Sequence, residues 1–517
     1  MGRKRIWVMA LLLVACMIAA ACGKDNQSQD GTKPSPSGGN AASATPAKSE
    51  APKSTVKLDK PATITMMTLA PEYKEDLSVY KWIQDATNIT VKGTLPAGTY
   101  NDAVALALAG GDIPDIIFIN GTDIANKYGQ QGALLDFNTV IDKMPNLKKF
   151  WEKNPDAKRR ATSPEGKTYM AINDGLGYSN QQIWMYRDDI FQKMNLKAPA
   201  TWDELYTALK TLKAAYPDSY PLTFRGGLAA IDFQMSPSFK TFQDMYQDLD
   251  TGEVKYGQVT SQYKKMIEYL NKFNKEKLMT PDWLSTTVDQ WNEMMVTGKS
   301  FVTLDYIGRL QLLQDGMKDT SAALKQMAPP AGPGGAAYNP NYNYMIGGFT
   351  VYKNAKNQDA ALHYIDFLYS DEGKSLVSWG KEGETYKMEN GKKVITVGAS
   401  LADIKKKSGI GTFGSYGILD SAAPISLIPD KYKGDYDIVS KYAYPQIVVP
   451  PSFTQTEVEV LSTTFAQIKK TKDMNIAKFI LGDRPLAEWD AYVGEINKLG
   501  LQKVIDIYKA GWDRQKK

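Results

Sequence analysis

The sequence predicts an α/β protein built as two large lobes, and three observations carry that reading. Residues 101–120 run from an Ala/Leu-rich helical segment, with Val104, Ala107 and Leu108 at helical spacing, into the uninterrupted apolar run Ile116-Ile117-Phe118-Ile119. Two further strand-like runs, 62–69 and Ile89-Thr90-Val91, flank a helical pattern through Leu77, Tyr80 and Ile83, so the body opens in β-α-β-α-β order, as doubly wound sheets do. Finally, 517 residues exceed what a single hydrophobic core sustains.

The chain begins as a secretory leader: Arg3-Lys4-Arg5, then an apolar stretch over 6–18. Ala19-Ala20-Ala21-Cys22 places small residues before a cysteine, the pattern of a bacterial lipobox, which makes 1–22 a signal peptide and Cys22 the lipidated N-terminus. Leu13-Val14-Ala15-Cys16 fits the same pattern, but cleavage there would shorten the apolar stretch, so Cys22 is preferred. The run is shorter than the ~20 residues an uncleaved membrane anchor needs. Acyl chains on Cys22 are expected to hold the protein at the outer face of the plasma membrane, as in a Gram-positive cell. Residues 23–60 are rich in Gly, Ser, Pro, Ala and Lys, cannot bury a core, and read as a flexible stalk.

Within the body, Gly110-Gly111 ends the first helical run, because a residue without Cβ takes the left-handed conformation, and Asp112 and Pro114 bar its continuation. The apolar run 116–119 reads as a parallel strand covered on both faces, with Asn120-Gly121-Thr122 at its carboxyl end, where open α/β sheets bind ligands. Trp184-Met185-Tyr186 is a strand. Thr201 and Glu204 form a capping box that starts the next helix after Pro199. Residues 250–256 form a hairpin with Gly252 in the turn; an EF-hand fails there, since no acidic residue stands at the closing position. Helical patterns over 263–273 and 357–368, a strand over 301–306, and a Pro/Gly/Ala-rich surface loop over 327–340 follow. Gly347-Gly348 lies in a strand where the backbone passes close to something, either hinge or ligand.

Several of these segments together resemble family 1 extracellular solute-binding proteins, the receptors of ABC sugar importers. Gly110-Gly111-Asp112-Ile113-Pro114-Asp115 is similar to the family's ASGDLPD signature, and Leu134-Leu135-Asp136-Phe137 to its GALLDLT element. Gly166-Lys167-Thr168-Tyr169-Met170-Ala171-Ile172 matches the GKxYAIP strand, with Asn173 in place of the proline. The stretch from Tyr186-Arg187-Asp188 to Thr201-Trp202-Asp203-Glu204-Leu205 is the most specific match, where the family's chain first crosses between lobes. Trp379 to Lys392 and the C-terminal helices resemble the LipO-like oligosaccharide-binding branch. The resemblance implies a type II periplasmic-binding-protein-like fold hinged by crossing strands, with lobe 1 from 61–180 and about 345–385, and lobe 2 from 181–344 and about 386–517. It implies an oligosaccharide ligand and ABC permease subunits as partners, with the protein itself a monomer.

Composition narrows the chemistry. The net charge is +5, three of the cations fall in the leader, and no basic stripe marks a nucleic-acid partner. Both cysteines lie in the first 22 residues and the single histidine, His363, sits in a helical pattern. The body therefore has no thiol chemistry and almost no material for a His-based triad or zinc site, and no cofactor or metal is expected. No phosphate-binding glycine loop is present, so ATP hydrolysis belongs to another subunit.

Sugars are held by ring stacking and by planar polar groups that exchange hydrogen bonds with hydroxyls. The candidates for these roles are Tyr178, Trp184, Asp232, Phe233, Trp291, Asp305, Tyr306, Arg309, Trp379, Glu382, Tyr386 and Tyr416. Core packing competes with ligand contact at each. The expected mechanism is closure of two lobes on an oligosaccharide that is passed to the permease uncut. The alternatives are a peptide or other solute receptor, an adhesive surface lipoprotein, and a surface glycoside hydrolase or lyase.

Overall fold

The computed structural model describes residues 57–175, 181–341, 345, 347–398, 400–446 and 451–515. The leader, Cys22, nearly all of the stalk and Tyr178 lie outside the described residues. The body, Thr55–Lys517, forms one compact unit.

The strands in chain order are β1 (Ala62–Met67), β2 (Ile89–Thr94), β3 (Ile116–Asn120), β4 (Ala171–Ile172), β5 (Gln182–Arg187), β6 (Leu222–Thr223), β7 (Met245–Gln247), β8 (Val254–Tyr256), β9 (Val302–Tyr306), β10 (Leu324–Met327), β11 (Gly347–Val351), β12 (Tyr386–Glu389) and β13 (Lys392–Ile395). Two mixed sheets organise the body, one in the order β2-β1-β3-β11-β4 and one in the order β10-β5-β9-β6. In the first, β1, β2 and β3 are parallel and β11 alone runs against its neighbours β3 and β4. In the second, β6 and β9 are parallel and β5 opposes both β9 and β10. The reversed strand in each sheet is the first the chain makes on arriving from the other. Each therefore starts at the carboxyl ends of its parallel neighbours, and both sheets present those ends toward the crossings.

Local chemistry explains the elements. The helix Tyr100–Gly110 stops at Gly111, whose φ of 86° is left-handed, and β3 follows as expected. Ile116 and Phe118 point into one core with Ile64, Phe349 and Val351, while Ile117 and Ile119 point into a second with Val104, Met170 and Ile172. β3 is thus covered on both faces, which is why its sequence does not alternate. In the second sheet, Trp184 and Leu304 join the large core that includes the C-terminal helices Ala466–Leu481, Trp489–Lys498 and Leu501–Gln515, while Ile183 and Met185 pack on the opposite side with Trp291 and Leu310.

Three expectations change in detail. The Thr201 hydroxyl accepts from Glu204 N–H at 3.2 Å, but the Glu204 carboxylate takes the Ala200 N–H at 2.7 Å, one residue earlier than a capping box requires. Complete boxes occur instead at Thr287/Gln290 and Thr454/Glu457. The Pro/Gly-rich loop is tied down, with Asn339 buried and exchanging backbone hydrogen bonds with Tyr442 and Tyr444. Ile404, Ile410, Tyr416 and Leu419 pack in the first core, so that core takes in chain well past residue 385 before Ile425 and Tyr432 join the second sheet.

Candidate functional site at the facing strand ends

Where β4 gives way to β5, and where β11 begins, the register brings specific side chains to the crossing ends of the sheets. On the first sheet Asn120 is paired with Gly347, and Asn173 and Asp174 follow β4 directly. Gly121, at φ 135°, turns the chain into the helix Thr122–Gln130, a conformation that favours glycine. Beyond β1, Thr68 donates its hydroxyl to the carbonyl of Phe413 at 2.6 Å, and the half-buried Phe413 ring lies 5.2 Å from that of Phe118.

On the second sheet Gln182 is paired with Tyr306, at the start of β5 and the end of β9. Asp305 is fully buried and accepts a two-pronged interaction from Arg225, Nε at 2.6 Å and Nη2 at 2.9 Å. Fork-to-carboxylate pairing of this kind fixes both groups in one plane. The Arg225 guanidinium lies 5.7 Å from the Trp291 ring and 6.0 Å from the Tyr306 ring, and Arg309 lies 6.0 Å from the same indole. Gln234 donates to the Gln182 side-chain oxygen at 2.9 Å. Tyr306 is half-buried; burial pushes its hydroxyl up and Asp305 adds to this, while Arg225 and Arg309 pull it down. It remains a neutral donor at physiological pH. This face offers a ring, two guanidiniums and two amides, the equipment for hydroxyls and ring faces rather than for bond breaking.

The structure brings Asp305, Tyr306 and Arg309 together over Trp291, and it places the other described candidates elsewhere. Trp184 is fully buried, edge-on to Trp202 at 6.1 Å, so its ring has no face left for a ligand. Trp291 is also fully buried, its indole N–H donated to Thr303 Oγ1 at 2.7 Å; it serves as the floor under the two arginines. Tyr416 is buried in the first core, stacked on Phe413 at 6.3 Å, and it is Phe413 that emerges from the 411–417 loop. Asp232 is buried against the Lys472 ammonium at 2.6 Å and the Tyr263 hydroxyl, which ties the helix Ala466–Leu481 to the second core. Phe233 is half-buried, edge-on to Phe242. Trp379, Glu382 and Tyr386 form a separate group: Trp379 is buried and donates to Asp420 at 2.9 Å, Lys393 lies over both rings, and Glu382 is exposed. These belong to the layer that also holds Trp82 of the helix Ser78–Thr87, which donates to Glu384.

Sequence reasoning missed Arg225, Gln182, Gln234, Asp174 and Phe413. Arg225 follows a two-residue strand that leaves no periodic trace, whereas Gly411 and Gly417, which bound the loop from which Phe413 emerges, are a signal the sequence does carry. A cavity of about 480 Å³ opens beside Asp174 and Gly175, but its aromatic lining, Phe150 and Tyr369, is buried ring against ring at 5.1 Å. Among the described residues no group of three or more His, Cys, Asp and Glu side chains could hold a metal ion, and no helix is long and apolar enough to cross a membrane.

Two mixed sheets with facing carboxyl ends, joined by repeated crossings, define the two-domain solute-binding class. The chain belongs to the bacterial extracellular solute-binding protein family, whose model matches residues 69–375. It is 23% identical over 500 residues to the fructooligosaccharide ABC transporter substrate-binding protein FusA of Streptococcus pneumoniae serotype 4, covering 89% of this chain and 92% of that protein. It is 24% identical to the polygalacturonan/rhamnogalacturonan-binding protein YtcQ of Bacillus subtilis over the full length of both. Among solved structures, alginate-binding protein AlgQ2 without calcium ion superposes with a TM-score of 0.72 at 21% identity, covering 88% of this chain and 99% of that one. Membership places the chain among binding proteins rather than enzymes.

Proposed function

We propose that this protein is the ligand-capturing subunit of an ABC importer, holding an oligosaccharide between the crossing ends of its two sheets and delivering it uncut to a permease. The observation that carries the reading is the second-sheet face, where Tyr306, Arg225, Arg309 and Gln234 converge at the end of β9 opposite the Asn120, Asp174 and Phe413 face of the first sheet. Curated relatives named for fructooligosaccharide transport and for polygalacturonan binding support the same ligand class. The moving bodies are the two cores, the first taking in the chain to Leu419 apart from β5–β10, the second the rest. Bound sugar touches both bodies only when they are shut, so it favours the shut state by its differential affinity. Acyl chains on Cys22 and the 23–60 stalk keep this capture close to the permease at the membrane surface.

Calorimetry and thermal unfolding of the full chain against a saccharide and peptide panel test the proposal. An oligosaccharide is expected to bind at about micromolar Kd and to raise the melting temperature, since a ligand selective for the native state must do so. Shifts with peptides alone would favour a different receptor, and release of shortened sugars would reveal an enzyme.

A further inference from the structure

The oligosaccharide reading can be sharpened, and the inference rests on it. Two guanidiniums, those of Arg225 and Arg309, lie 5.7 and 6.0 Å from the one buried indole of Trp291. The buried acid beside them is Asp305, and both of its oxygens are engaged by Arg225. Arg309 is half-buried in the first turn of the helix Gly308–Gly316 that follows β9 and, among the described residues, has no ion pair or hydrogen bond. A guanidinium withdrawn from water is stabilised only by groups that return what hydration supplied, and a ring face returns part of that. Neutral saccharide hydroxyls are already served here by the Gln182/Gln234 amides, the Tyr306 hydroxyl and the remaining N–H groups of Arg225. What the site lacks is an anion of planar, two-oxygen shape that fits the rigid fork of arginine.

We infer that Arg309 anchors a carboxylate of the ligand, so that the solute is an acidic, uronate-containing oligosaccharide rather than a neutral one.

Trigalacturonic acid, its trimethyl ester and a neutral trisaccharide, titrated into the full chain by calorimetry, separate the possibilities. The ester keeps shape and hydroxyls and removes only the charge. The acid is expected to bind about tenfold or more tighter than its ester, a preference that falls as salt rises. Arg309→Gln should abolish that preference and Arg309→Lys should retain part of it, since the point charge survives without the fork. Thermal unfolding without ligand confirms that both variants fold. An ester as tight as the acid, or a preference unchanged in Arg309→Gln, overturns the assignment and leaves the oligosaccharide reading standing. No binding by any saccharide overturns both.

Discussion

The Asp115 carboxylate accepts four hydrogen bonds: from the Thr65 N–H and hydroxyl at 2.9 and 3.0 Å, and from the Asn357 N–H and amide at 3.0 and 3.2 Å. It closes the Gly-Gly-Asp-Ile-Pro-Asp motif, and its work is to fasten β3 to β1 and to the start of the helix Gln358–Phe367. Burial opposes its ionisation, but the bonds from Thr65 and Asn357 outweigh burial and hold the carboxyl below the ordinary 3.8. A depressed carboxylate contributes stability that is present above its unfolded value and lost as pH falls through the lower folded value. Resistance to urea should therefore fall below about pH 4, and Asp115→Asn should flatten that acid limb. The variant is expected to lose about 2 kcal/mol at neutral pH, because its amide turns a donor toward donors, while sugar affinity stays unchanged. The motif was legible in the sequence and its structural role was not, since nothing local says that its partners lie 50 and 242 residues away.

At the scale of elements, the glycine pair in β11 shows how a legible signal acquires its reason. A Cβ on Gly348 would sit 2.1 Å from the Ala171 carbonyl oxygen, so the close neighbour is strand β4, neither hinge nor ligand. Gly348→Ala is expected to lower stability by about 2 kcal/mol, read as a shifted urea midpoint, because the clash is with backbone that has nowhere to go. The hairpin β7–β8 follows the sequence closely, with Gly252 at φ 71°. Its turn closes on Asp248, which accepts from Asp250 N–H, Thr251 N–H and the Lys255 ammonium at 2.9–3.1 Å. Helices and long strands were readable because periodicity and caps are local. β6, two residues long, was not, because its existence depends on the strand it joins, and the equally short β4 was marked only by the GKxYAIP match.

For the whole molecule, the arrangement of the reversed strands β5 and β11 matters most. Both begin at the crossings, so under the proposed closure small rotations there would open or shut the gap between the Tyr306 and Asn120 faces. The segment Ser452-Phe453 couples the bodies: Ser452 donates to the Thr162 carbonyl at 2.6 Å on the first, while Phe453 packs in the core of the second. Small-angle scattering should show a smaller radius of gyration on adding a bound oligosaccharide, with an isosbestic family of curves if only two states exchange. An unchanged radius at saturating ligand would mean that binding and closure are separate.

By itself the sequence determined the class: an α/β chain whose motifs are spaced as in solute-binding proteins. Those properties are written in neighbouring residues. Only the tertiary structure decided which aromatics are core and which polar groups meet at a surface. Trp184 and Trp291 look like sugar platforms in the chain, yet both are sealed by packing, while Arg225 comes from a segment with no local signature to pair with Asp305, 80 residues on. The physical reason is that burial and ion pairing are settled by residues distant in sequence, so a local pattern can nominate a ring or a charge but cannot say whether water, or a sugar, will ever reach it.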